Sequence, residues 1–290
     1  MSIKLGILAS SRQQSATLLL DLYPNAAAAY SLRRLRTLYT GSAIRVSRDF
    51  DSAQTDIGFN PDGSLNTTAL SAFVLGSNGR IVTWYDQSGN GRNAFGNLTN
   101  SPFIVLNGTI YTLNGKPSIF WLNAQNQRLL TSTFSAAIPQ PISSYSVTQL
   151  VGLSGQNASI IYDSNDTTGN NGFILGHGGV TEPPPLNLAL FISTPLNVVI
   201  EPSNNNTELV SVLYNTTNTN VYVNAVQKVT NQNTGSNSLV GLTIGNIRYS
   251  IYYNIYDFSG YISELVFYPS LQTGNNTGIQ NNINSFYTIY

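Results

Sequence analysis

Apolar and polar positions alternate in short runs along most of the chain, the period of half-buried strands rather than of helices. Ile81-Val82-Thr83-Trp84-Tyr85 is a β-branched and aromatic run that stops abruptly in Asp86-Gln87-Ser88-Gly89-Asn90-Gly91-Arg92-Asn93, so a strand feeding a rigid loop is predicted there. Segments 103–106, 109–113 and 118–122 read as strands joined by Asn-Gly turns at Asn107-Gly108 and Asn114-Gly115. Further strands are predicted at 43–48, 145–148, 158–162, 208–213, 220–223, 226–229 and 239–245, with Asn224-Ala225 turning between 220–223 and 226–229. In 259–268 the two faces are both apolar: Ile262, Val266 and Tyr268 lie with Glu264 on one, and Tyr261, Leu265 and Phe267 on the other. A strand central to a sandwich has that pattern.

Helical spacing is confined to a few places. Ala28, Leu32, Leu35 and Tyr39 share one face, Asn25 stands where a cap would, and Gly41 stands where a helix would end, which predicts a substantial helix over 25–39. Arg33, Arg34 and Arg36 would turn to its other faces, as a solvated or ion-paired surface or as a grip for phosphate or carboxylate. Leu65, Ala69, Leu70 and Phe73 predict a short helix capped by Asn66 or Thr67. Residues 1–20 lack core periodicity, yet Ile3, Leu5 and Ile7 alternate as a strand would, so an attachment arm docking on a neighbour is expected ahead of one β-sandwich domain over 21–290, with a strand of the protein's own sandwich as the alternative.

Composition narrows the function classes. Of 290 residues, 13 are basic and 13 acidic, which leaves no field to draw in nucleic acid or an anionic membrane surface. Cysteine is absent and histidine occurs once, so disulfide frameworks, thiolate metal sites and multi-histidine sites are excluded. Asp86-x-Ser88-x-Asn90-Gly91 matches the first half of a calcium loop, but Asn97 stands where the bidentate glutamate would be. Asp86, Ser88 and Asn90 are therefore weak calcium candidates against a self-satisfied turn, and no other cofactor is implied.

Two blocks carry a resemblance. Ala29-Tyr30-Ser31-Leu32-Arg33-Arg34-Leu35, the run Tyr39 to Val46, Asp56-Ile57-Gly58-Phe59 and Trp84 to Gly91 resemble a domain recurrent in tailed-phage virion proteins and distantly similar to the catalytic domain of fungal α-L-arabinofuranosidase B. Residues 221–224, Leu242 to Asn246, Phe258 to Leu265 and a terminal helix near 275–287 look like the end of a concanavalin A-like jelly roll. What the resemblance implies is an all-β jelly-roll sandwich, a virion location, attachment to other virion proteins through the arm, and contact with a host-surface glycan. A homo-oligomer is also open.

The function expected on that basis is non-enzymatic: a virion accessory or adhesion subunit of capsid, head fibre or tail, displaying a lectin-like domain. The alternatives are a carbohydrate-binding lectin and an arabinofuranosidase-like glycosidase. Where the arabinofuranosidase family places its nucleophilic glutamate this chain offers Asp163-Ser164-Asn165-Asp166, so Asp166 or Asp163 is the counterpart, with a shorter side chain and without the family's paired cysteines. Glu182, Glu201 and Glu208 are nearby in sequence only, and His177 in Gly176-His177-Gly178-Gly179 reads as a hydrogen-bonded loop residue or a base. Tyr249, Tyr252, Tyr253, Asn254 and Asp257 form the candidate ligand-binding group, an aromatic and polar cluster suited to a sugar or to an oligomer contact.

Overall fold

The central element is the strand Gly260–Tyr268, which pairs antiparallel with Ile142–Leu150 on one side and with Ala28–Ser31 and Ile119–Trp121 on the other. From Ile142–Leu150 the sheet continues through Thr207–Tyr214 and Thr219–Val223 to Val226–Gln232. A second layer runs from Ile44–Arg48 through Gly79–Trp84, Ala94–Phe95, Leu129–Leu130, Thr243–Ile244 and Ala158–Asp163 to Ile174–Gly178, Asn187–Phe191 and Val198–Pro202. Gly79–Trp84 also pairs with Phe103–Leu106, which joins the layers. This computed structural model describes residues 17–122, 125–152, 158–164, 172–178, 186–191, 197–248 and 256–290. The result is an all-β sandwich with three α-helices among the described residues.

The layers face each other across one apolar core. Tyr162 of the second layer sets its ring 5.0 Å from Phe267 of the first, edge to face, and its hydroxyl lies 2.8 Å from Ser144 Oγ and 2.9 Å from Tyr214 Oη. A second cluster covers the back of the first layer, where Tyr145, Val147, Val266 and Tyr268 pack against Ile279, Ile283 and Tyr287 of the helix Asn276–Tyr287. That helix explains why Gly260–Tyr268 is apolar on both faces: one face meets the opposite sheet and the other meets the helix. The short helix Thr67–Val74 is capped by Asn66, whose side chain accepts the Ala69 amide at 2.9 Å.

The helix expected over 25–39 does not form. A single helical turn occupies Leu19–Leu22, Ala28–Ser31 is a strand, and the chain from Leu32 to Gly41 is irregular. The physical reason is burial on every side: all four residues Ala28 to Ser31 are buried, in register with Phe267, Val266, Leu265 and Glu264. A helix there would have left half of that surface in water, and small alanines suit a strand covered on both faces, so tertiary packing overrides propensity. Asn25 sits at φ +66°, a turn conformation rather than the extended one of an N-cap. Leu19 and Leu20 pack into the second cluster, so the segment assigned to an arm is bound to the domain from that point. Residues 1–16, with Ile3, Leu5 and Ile7, lie outside the described residues.

Candidate active site at the Gly245 corner

The strand Thr243–Ile244 ends at Gly245, whose φ of +81° turns the chain against Trp121. A Cβ at this position would collide with the indole nitrogen, so only glycine admits both the turn and the tryptophan. The Gly245 amide donates to Ile161 O at 2.9 Å and its carbonyl accepts the Phe258 amide at 3.0 Å, which fastens the corner between two segments.

Residues 246–248 then gather two carboxylates. The fully buried Asn246 receives the Ile247 amide on its Oδ1 at 2.7 Å and donates from Nδ2 to Asp257 Oδ1. Asp257 Oδ2 accepts the Asn126 amide at 3.0 Å. Asp163 Oδ2 accepts the Arg248 amide at 3.0 Å, and Arg248 Nη1 reaches Thr131 O at 3.2 Å. Burial raises the Asp257 carboxyl above the ordinary aspartate range, against the opposing pull of the Asn126 amide, Asn246 and Arg128. Around these carboxylates three buried polar atoms have no partner among the described residues: Trp121 Nε1, Asn126 Oδ1 and Thr243 Oγ1. Thr243 is the register partner of Asp163, Asn126 touches Asp257, and Trp121 lies under Gly245, so all three border the corner.

Of the residues singled out from sequence, Asp163 and Asp257 both bind the 246–248 segment, Asp257 through Asn246 and Asp163 through the Arg248 amide. Asp166, Glu182, Tyr249, Tyr252, Tyr253 and Asn254 lie outside the described residues. His177 is in the strand Ile174–Gly178 rather than a loop, because Gly176 packs so close to Ile160 that a Cβ would lie 2.8 Å from Ile160 Cδ1. Its Nδ1 is 2.8 Å from Ser203 Oγ, and burial pulls its pKa down to about 4, so the ring is neutral near pH 7. Glu201 is held by Lys228 at 2.7 Å. Glu208 is bound by Asn204 and raised to about 7 by burial, on a strand away from the corner. Trp121, Asn126, Thr243 and Asn246 were not singled out from sequence; Gly245-Asn246 directly after a strand was the one local signal.

The Asp86 loop closes on protein donors. Asp86 Oδ1 accepts the Ala29 and Ser88 amides at 2.9 Å each, and Oδ2 accepts Ser88 Oγ at 2.8 Å and the Arg92 amide at 3.0 Å. Those four bonds fill a carboxylate's acceptor sites. Asn90 donates to Ala26 O and Ala27 O at 3.0 Å, so the loop clamps the segment leading into Ala28–Ser31. Among the described residues, no group of three His, Cys, Asp or Glu side chains could hold a metal ion.

The family model for the catalytic domain of α-L-arabinofuranosidase B matches residues 21–112. Among solved structures, a mutant GH54 α-L-arabinofuranosidase soaked with 4-nitrophenyl α-L-arabinofuranoside superposes with a TM-score of 0.69 at 16% identity, over 91% of this chain and 64% of that one. An arabinofuranosidase complexed with arabinofuranosyl-α-1,2-xylobiose gives 0.67 at 17% identity, with the same 91% and 64% coverage. A third, soaked with a cyclic sulfate inhibitor, gives 0.66 at 16% identity, again over 91% and 64%. The chain thus spans 64% of the length of these enzymes. No curated protein matches by sequence. These matches correct the expected non-enzymatic virion subunit and its capsid, tail and adhesion roles: they point to a glycosidase fold, which had been the lesser alternative. The chain carries the sandwich fold of the GH54 arabinofuranosidases, to whose catalytic domain it is distantly similar.

Proposed function

We propose that the chain is a glycoside hydrolase domain acting on α-L-arabinofuranosides, with Asp163 and Asp257 as its working carboxylates. The observation that carries this reading is the Gly245 corner, where both carboxylates bind the same three-residue segment beside unpaired buried polar atoms, within a fold shared with arabinofuranosidases. Glycosidic cleavage needs a proton donor for the leaving oxygen and a second carboxylate at the opposite side of the anomeric carbon. Asp257, held protonated to higher pH by burial, suits the donor. Asp163 is the partner that attacks the anomeric carbon or draws a proton from water. We also read the sandwich as concanavalin A-like, which its two facing antiparallel layers and covering C-terminal helix support.

The test is release of 4-nitrophenol from 4-nitrophenyl α-L-arabinofuranoside. Asp163→Asn should lower kcat at least about 10³-fold. Asp257→Asn should cost less on this substrate than on an arabinosylated xylo-oligosaccharide, because nitrophenolate leaves with little need of a proton. Absence of turnover by the intact chain, or turnover unchanged in both variants, would refute the assignment.

A further inference from the structure

Far along the chain from the Gly245 corner, a half-open cleft of about 560 Å³ lies between the 20–38 segment and the Asp86 loop. Two arginines line it. Arg36 reaches Ser88 O through Nη1 at 3.3 Å, and Arg92 reaches Ala27 O through Nη1 at 2.8 Å while stacking 4.0 Å over Phe134. Arg33, Arg45, Arg48 and Arg80 each have a carboxylate partner, but among the described residues neither Arg36 nor Arg92 forms an ion pair. Each guanidinium carries five N–H donors and spends one in these bonds, so both forks keep donors for a ligand. Among the described residues one carboxylate lines the cleft, Asp21, which is engaged by the Thr37 amide and hydroxyl. The cleft therefore carries a net positive charge.

The loop is built around this arrangement. Gly89 takes φ +95°, and a Cβ there would sit 3.0 Å from Arg36 Nη1, so the glycine keeps the backbone close under the guanidinium. The cavity is too large for a bare inorganic anion and is partly walled by Leu20, Leu38 and Pro24, apolar surface that suits the C–H face of a sugar ring. Among the described residues no aromatic ring lines it, which disfavours a nucleotide base.

We infer that the Arg36–Arg92 cleft is a second glycan site, taking the carboxylate of a hexuronic acid. The two guanidinium forks receive the carboxylate, and the ring rests against the leucines and proline. Calorimetric titration of the full chain with D-glucuronate, compared with D-glucose and inorganic phosphate, tests it. Glucuronate should bind, weaken as salt is added, and bind about tenfold less tightly to Arg36→Gln. Asp21→Asn removes the opposing charge and should tighten binding several-fold, which reads the same field with the opposite sign and does not depend on how well Arg36→Gln folds. Cleavage of 4-nitrophenyl α-L-arabinofuranoside should be unchanged in Arg36→Gln. No binding by the intact chain, equal binding of glucose, phosphate binding as tight as glucuronate, or affinity indifferent to both variants would each overturn the site, and loss of cleavage in Arg36→Gln would make the cleft part of the first site instead.

Discussion

Glu208 and His177 are buried titrating groups whose effects on stability have opposite signs. Burial raises Glu208 to about 7, so between its ordinary value and about 7 the unfolded chain has released a proton that the folded chain still holds. Its contribution is present at low pH and is lost as pH rises through that window, on the order of 3 kcal/mol in all. His177 is pulled down to about 4, so its contribution is present above its ordinary value near 6.5 and is lost as pH falls toward 4. The two slopes oppose each other where the windows overlap. Glu208→Gln keeps an acceptor for Asn204 and abolishes the first slope. Thermal denaturation from pH 4.5 to 7.5 should show the variant gaining on the wild type as pH rises, and parallel curves would show that Glu208 does not titrate in this range. At this scale the sequence was partly legible. Asp163 and Asp257 could be named, the first through a resemblance and the second from its neighbours, but their meeting at 246–248 depends on the register of Ala158–Asp163 against Thr243–Ile244, which no local pattern encodes.

Elements were legible wherever local chemistry fixed them. Asn107-Gly108 and Asn114-Gly115 both have positive φ at each residue, as their side chains predict, and the first joins Phe103–Leu106 to Thr109–Ile110. Asn66 caps its helix because its side chain reaches a free amide one turn on. The 25–39 segment misled because its alanines have high helix propensity, while the competing demand, antiparallel pairing of the buried Ala28–Ser31 beside Gly260–Tyr268, comes from a strand more than 200 residues away in sequence. The turn at Asn224-Ala225 shows a sequence less than ideal for its conformation. Its φ values are +50° and +64°, and asparagine tolerates the left-handed region while alanine is strained there. Ala225→Gly should raise stability by about 1 kcal/mol, read as a higher urea midpoint at unchanged m-value. A lower midpoint would mean that the entropy glycine adds to the unfolded chain outweighs the relief.

At the scale of the whole molecule, three distant parts of the chain meet around one buried ion pair. Arg33 lies between the N-terminal strand and the helix Asn276–Tyr287, and donates from Nε and Nη2 to Glu264 at 2.8 and 2.9 Å. Its Nη1 reaches Asn282 at 3.1 Å, Ser31 Oγ donates to Glu264 at 2.8 Å, and Tyr287 Oη stands 3.3 Å from the same carboxylate. Sequence could show that Glu264 interrupts an apolar face, but the arginine that answers it was assigned to a helix surface. Opposite charges fixed in a fork cost desolvation roughly equal to what they return, so the pair's net worth is small while the loss of one member is not. Glu264→Gln would leave the buried guanidinium without its counter-charge and should destabilise by about 3 to 5 kcal/mol. Arg33→Met with Glu264→Leu removes both charges and should recover most of that loss, although Tyr287 and Ser31 would then lack a partner. Urea denaturation of the two variants and the wild type decides the matter: a single variant as stable as the wild type would mean that water reaches Arg33. A double variant no better than the single would mean that the polar network, rather than the charge balance, clasps the two termini to the central strand.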